Sequence, residues 1–147
     1  KFKCCIGKSA LAQKKIEGDK KTPKGIFSLG PLFFRKDKYK NIETKLKKIP
    51  ILKNMAWCDD PLHQKYNKLV KINKILHYEK LFRNDYKYDL LIPINYNTKK
   101  TKPYLGSAIF LHLTKDFKPT LGCIALKESD FLILIKLISK KTKIKII

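Results

Sequence analysis

Residues Ile109 to Leu126 read IFLHLTKDFKPTLGCIAL. The first half has the β-branched and aromatic content of a strand. Along it Phe110, His112 and Thr114 share one face, and Ile109, Leu111 and Leu113 share the other. After the loop KDFKPT, the segment LGCIAL is expected to return antiparallel beside that strand. This would let the imidazole of His112 meet the sulfur of Cys123. A thiol needs a neighbouring base or cation to become a nucleophile at neutral pH, and histidine is the usual supplier. Gly122 allows an unusual backbone conformation next to the sulfur. The N–H groups of Leu121, Gly122 and Cys123 are natural donors for an oxyanion. On spacing alone, a core hairpin with an incidental cysteine and a nucleophile with its base both remain open.

Outward from this stretch the chain reads as strands. KFKCCIGKSALA is a strand running into a loop, and Gly18, Pro23, Gly25 and Gly30 mark loop chemistry leading into the strand GIFSLG. Residues 35–50 are lysine-rich and suggest a strand with an exposed excursion. MAWCDDP ends in a turn signal at Asp59, Asp60 and Pro61. NKLVKINKILHYEKLFRND fits a short helix or an extended loop. YDLLIPINYN is β-prone, with Pro93 at an edge or a strand end. Beyond Cys123, apolar positions 131, 132, 134, 135 and 138 predict one amphipathic helix. Glu128, Ser129 and Asp130 supply acidic or capping groups to its first turn, and KIKII is a final strand. The expected architecture is β-rich, one domain over residues 1–147, with one helix after the cysteine.

The net charge is +22, and nucleic acid is the first partner to weigh. The lysines, however, are spread along the whole chain, and only Arg35 and Arg83 carry the guanidinium that reads phosphates and bases bidentately. Abundant Lys, Ile and Asn fit compositional bias better than a built nucleic-acid face, although such a surface still favours anionic polymers such as cell wall. No apolar run reaches the roughly 18 residues of a membrane span. Cys4, Cys5, Cys58 and Cys123 form no C-x-x-C pair, which argues against a zinc ribbon or a thioredoxin site. Adjacent Cys4 and Cys5 would point to opposite faces of a strand, and Cys4, Cys5 and Cys58 read as small core residues.

HLTKDFKPTLGCIAL resembles the signature of the L,D-transpeptidase catalytic domain (YkuD-like) family, through His112, Thr120, Gly122 and Cys123. EGDKKTPKGIF is similar to that family's upstream loop, at Gly18, Asp19, Thr22, Pro23, Gly25 and Phe27. WCDDP, HYEKLFRNDYKYDL and NYN further resemble its short proteobacterial-type branch, so the likeness covers nearly the whole chain. The resemblance implies packed mixed β-sheets (a β-sandwich) with the cysteine in a groove. It implies peptidoglycan stem peptides as substrate, no metal or organic cofactor, and an envelope or periplasmic location. No leader is visible in a chain that opens on Lys1. It also implies roles: Cys123 as nucleophile, His112 as base, and the carbonyl of Leu113 as the group that fixes the imidazole tautomer. A monomer is expected.

Two family positions differ here. Leu121 stands where a second histidine precedes Gly-Cys, and Ala125 where an arginine follows. Another group must then hold substrate or wall the pocket. Arg83, with Glu79, Asp85 and Tyr88, is the candidate set, joined by Thr120; Trp57, Asp59 and Asp60 could form a pocket wall but fit core and turn roles better. His63 and His77 read as surface residues. Three functions stay open: an L,D-transpeptidase that cross-links or remodels cell wall, a carboxypeptidase or endopeptidase using the same Cys/His pair, and a non-catalytic basic binding module.

Overall fold

A computed structural model of the chain describes residues 1–13, 15–72 and 77–147. In chain order the strands are β1 (Cys4–Cys5), β2 (Leu11–Ala12), β3 (Thr22–Pro23), β4 (Gly25–Ser28), β5 (Leu32–Phe34), β6 (Lys48–Pro50) and β7 (Met55–Cys58). They continue with β8 (Leu69–Lys71), β9 (Tyr78–Lys80), β10 (Leu90–Pro93), β11 (Phe110–Leu113) and β12 (Ile124–Leu126). The helix α1 (Glu128–Leu137) and β13 (Lys143–Ile146) complete the chain. Among the described residues α1 is the single helix, as expected for a β-rich fold.

The main sheet has six strands in the order β1-β12-β11-β10-β5-β6. It is mixed: β11–β12 and β5–β6 are parallel, and the other pairs are antiparallel. The expected antiparallel return after His112 is therefore wrong. Residues 114–123 form a crossover long enough to carry the chain back to the start of β11 before it pairs. On the way, the Thr120 N–H donates to Ile6 O at 2.9 Å, and Thr120 O accepts from the Lys8 N–H at 2.9 Å. The loop is thus zipped onto the N-terminal arm, and β12 is seated between β11 and β1. The parallel register sets Leu111 opposite Ile124 and His112 opposite Ala125.

Strand alternation sorts β11 cleanly. Ile109, Leu111 and Leu113 enter one core, with Leu90, Ile92, Ile124, Leu126, and Phe131 and Ile135 of α1. Phe110 enters another, with Trp57, Leu81, Tyr88, Leu91 and Cys123. The helix covers the first face. Its Phe131 is fully buried, a burial that favours folding by about 1.5–3 kcal/mol. The three-stranded sheet β8-β7-β9 lies on the second face, through Trp57. Cys123 thus sits between two layers rather than on a rim.

Several local expectations are corrected. The helix takes Lys127 as its N-cap residue with no side-chain cap; Glu128 and Asp130 do lie in its first turn, and Glu128 accepts a hydrogen bond from the Tyr39 hydroxyl. Pro93 is indeed a strand end, but β10 is interior to the sheet. It has no N–H to donate, but its carbonyl accepts the Gly30 N–H at 2.8 Å and the next residue, Ile94, donates to Ile109 O at 2.9 Å. The segment read as helix or loop supplies β8 and β9, and residues 73–76 of it lie outside the described residues. Cys5 and Cys58 are buried, whereas Cys4 is exposed, because neighbouring residues of β1 face opposite ways.

Candidate active site

The turn that presents Cys123 is built from both sides. Gly122 has φ +136°, and a Cβ there would stand 2.9 Å from the Lys21 carbonyl oxygen, so glycine is required on both counts. Its carbonyl accepts from Thr22 Oγ1 at 2.8 Å, and Thr22 Oγ1 in turn accepts the Gly7 N–H at 2.8 Å. The TPKG loop and the Gly-Cys turn, a hundred residues apart, are therefore one physical unit. Thr120 Oγ1 donates to Cys123 O at 2.6 Å and accepts from the Gly122 N–H at 3.1 Å. That second bond corrects one expectation. The Gly122 N–H is already engaged, which leaves Leu121 and Cys123 as the candidate oxyanion donors.

Cys123 and His112 line one cavity of about 510 Å³. In the register Phe110 lies opposite Cys123, so His112 is its diagonal neighbour on the same face. The Phe110 N–H donates to the sulfur at 3.4 Å, and the thiol donates to Ala108 O at 3.3 Å. His112 Nδ1 lies 2.9 Å from Leu113 O. A carbonyl can only accept, so Nδ1 carries the proton and Nε2 keeps its lone pair. Burial pushes the Cys123 thiol up to about 12, with the negative charge of Glu79 adding to it. Burial also pulls the His112 imidazole down to about 4, against the pull of the Leu113 carbonyl. The resting pair is a neutral thiol and a neutral imidazole rather than an ion pair.

The candidate substrate set falls into two groups. Glu79, Arg83 and Tyr88 line the cavity with His112, as do Thr120, Leu121, Leu113 and Ala125. The Tyr88 ring stands edge-on to His112, centroids 5.3 Å apart, and its hydroxyl donates to Glu79. Arg83 lies over the Tyr88 ring at 4.9 Å. Asp85 is not on the cavity wall; it clamps the Arg83 guanidinium at 2.5 Å. Trp57 is not on the wall either. Its ring packs edge-on against Phe110 at 5.2 Å in the core, and its Nε1–H donates to Asn67 Oδ1 at 2.9 Å. Asp60 serves the turn, accepting the Leu62 N–H, while Asp59 does reach the cavity. His77 is exposed, and His63 is half-buried with Nδ1 accepting the Lys65 N–H.

Three residues, Lys15, Glu17 and Asn67, escape the sequence reading, which places Asp59 chiefly in a turn. Lys15 is buried on the cavity wall, but no spacing rule sets it apart in so lysine-rich a chain. Glu17 accepts hydrogen bonds from Tyr66 and, at 2.8 Å, from Ser107, anchoring the loop behind the cysteine. Asp59, half-buried and with no hydrogen-bond partner for Oδ1 among the described residues, has its carboxyl pushed up by burial, with the Glu17 charge adding to it. Asn67 takes the left-handed conformation at φ 57° and accepts from Trp57 Nε1 and the Ala108 N–H. It also donates to Tyr96 O and Asn97 O. It thereby fixes Ala108, the residue whose carbonyl holds the thiol. Its signal in the sequence was only the general tolerance of asparagine for left-handed turns.

No helix of the described residues is long and apolar enough to cross a membrane. The family model described as the L,D-transpeptidase catalytic domain (YkuD) matches residues 1–146. Comparisons with curated proteins and with solved structures gave no match.

Proposed function

Since this chain belongs to the L,D-transpeptidase catalytic domain family, whose substrate is peptidoglycan, we propose that it acts on stem peptides by covalent catalysis at Cys123 with His112 as base. The observation that carries the reading is the cavity shared by the two residues, together with the Leu113 carbonyl that leaves His112 Nε2 as the acceptor. With a neutral thiol and a neutral imidazole at rest, the proton leaves sulfur as the sulfur attacks, and Nε2 takes it. The sulfur bonds to the carbonyl carbon of the third residue, a diamino acid, of a donor tetrapeptide. The oxygen gains the electron pair against the Leu121 and Cys123 N–H groups. Collapse breaks the peptide bond, and the imidazolium returns its proton to the departing D-alanine amine. An amine of a neighbouring stem then attacks the thioester carbonyl and gives a proton to His112 Nε2; the C–S bond breaks, that proton returns to the sulfur, and the new amide is the cross-link.

The test is turnover of disaccharide-tetrapeptide with mass analysis of the products. Loss of free D-alanine release in Cys123→Ala is expected, together with cross-linked or amino-acid-exchanged products from the unaltered protein. Full turnover by Cys123→Ala refutes the nucleophile. Tripeptide as the main product refutes transfer in favour of hydrolysis, since water and an amine compete for the same thioester.

A further inference from the structure

Lysine side chains are almost never fully buried unless paired. Lys15 is 3% exposed, yet it lies on the wall of the Cys123 cavity. Its Nζ donates to Asp19 Oδ1 at 2.5 Å and to Lys21 O at 2.7 Å. Its stem passes so close under Gly106 that a Cβ there would meet Cε at 2.7 Å. At Gly122 a Cβ would stand 3.7 Å from Nζ. Gly106 thus gives the stem of this side chain room, and its charge ends against the backbone next to the cysteine.

The electrostatics of the cavity give that charge a task. Glu17, Asp59 and Glu79 all line it, and the Glu79 charge opposes negative charge on the sulfur. The other cations on the wall do not answer them. Lys20, Lys87 and Lys118 are solvent-exposed and screened, and Arg83 is bound to Asp85, with Glu79 at 3.9 Å. Position 125, next but one to the cysteine, is an alanine. Among the described residues Lys15 is the buried cation of the wall, and its charge favours the thiolate of Cys123.

We propose that Lys15 is the fixed positive charge of this site, held at the Gly122–Cys123 turn by Asp19 and Lys21 O to offset the negative charge that builds on the Cys123 sulfur and on the carbonyl oxygen it attacks. The inference rests on Cys123 being the nucleophile and adds the group that stabilises its charged states. Lys15 transfers no proton: the thiol proton goes to His112 Nε2, and the ammonium keeps its three hydrogens throughout. Asp19, which also accepts the Ile16 and Lys21 N–H groups at 2.9 Å, sets the position of the ammonium and cancels part of its field.

The two partners therefore act on the sulfur with opposite signs, and this separates an electrostatic role from a structural one. The rate of iodoacetamide modification is followed at the Cys123 peptide by mass spectrometry across a pH series. Lys15→Met is expected to slow modification by about tenfold at each pH below the thiol titration, equal to about one pKa unit. Asp19→Asn, which leaves the ammonium uncompensated, is expected to speed it several-fold. A merely structural clamp predicts that both changes move the rate the same way, and that result, or no change in either, overturns the proposal. Should Lys15→Met fail to fold, Asp19→Asn decides alone: acceleration supports the proposal, and slowing or no effect overturns it. The outcome is separable from the parent reading. Full turnover by Cys123→Ala refutes the nucleophile, whereas a Cys123 needed for turnover but indifferent to both changes refutes only Lys15.

Discussion

His112 gives the sharpest quantitative prediction, because its environment stabilises one protonation state. The ring is 7% exposed, stacked edge-on to Tyr88, and held near 4 by burial. The unfolded chain takes up the proton near the ordinary value of about 6.5. Between these two values the unfolded state binds more protons, so stability rises with pH across that window. The stabilisation is fully present above about 6.5 and is lost as pH falls toward 4. Titration near 4 rather than near 6.5 corresponds to about 3.4 kcal/mol, of which about 2.5 kcal/mol is lost between about pH 7 and pH 4.5. His112→Gln removes the titrating group. Urea unfolding at the two pH values should then show a pH-dependent loss smaller by about 2.5 kcal/mol in the variant than in the unaltered protein. The same reasoning places the acid limb of kcat/KM, where the base becomes protonated, near 4 and not near 6.5. Equal pH-dependent losses in the two proteins, to within about 0.5 kcal/mol, would refute a buried neutral imidazole at this position.

Gly122→Ala forces a side chain into a φ of +136° and to 2.9 Å from Lys21 O; kcat should fall by at least tenfold with the far-ultraviolet circular dichroism retained, and unchanged kcat contradicts the tight turn. Asn67→Ala orphans the Trp57 Nε1–H and the Ala108 N–H at about 1–3 kcal/mol each, and adds about 1 kcal/mol for a left-handed alanine. The urea midpoint should report a total loss of about 4 kcal/mol, and a loss under about 1 kcal/mol contradicts the hydrogen-bond hub.

Much of the fold was legible because alternation is a local rule. Phe110, His112 and Thr114 could be put on one face of β11 from sequence alone, and the two cores divide between that face and the one holding Leu111. The helix was legible from apolar spacing, and its buried Phe131 and Ile135 lie on the expected stripe. Strand direction was not legible. Whether LGCIAL returns antiparallel or crosses over depends on what else can pair with the loop, and here Thr120 pairs with the arm at Ile6 and Lys8. Those partners lie more than a hundred residues upstream, where no local pattern announces them.

The candidate site divides along the same line. Thr22, Gly122 and Thr120 belong to recognisable motifs because each answers a backbone demand: a carbonyl to satisfy, a left-handed φ, a turn to close. Glu79 and Asp59 could be named only as sequence neighbours of Arg83 and Trp57, and Lys15 and Glu17 not at all, because all four answer to the cavity instead. Their side chains meet only because β9, the loops at 15–21 and 59, and the crossover before β12 converge there. A carboxylate or an ammonium can reach such a cavity from many backbone positions, so its type is constrained while its place in the chain is not. The arginine absent at Ala125 illustrates the consequence. A positive charge needed near a sulfur need not come from the strand that follows the sulfur, and the buried Lys15 reaches the same turn from the opposite end of the chain.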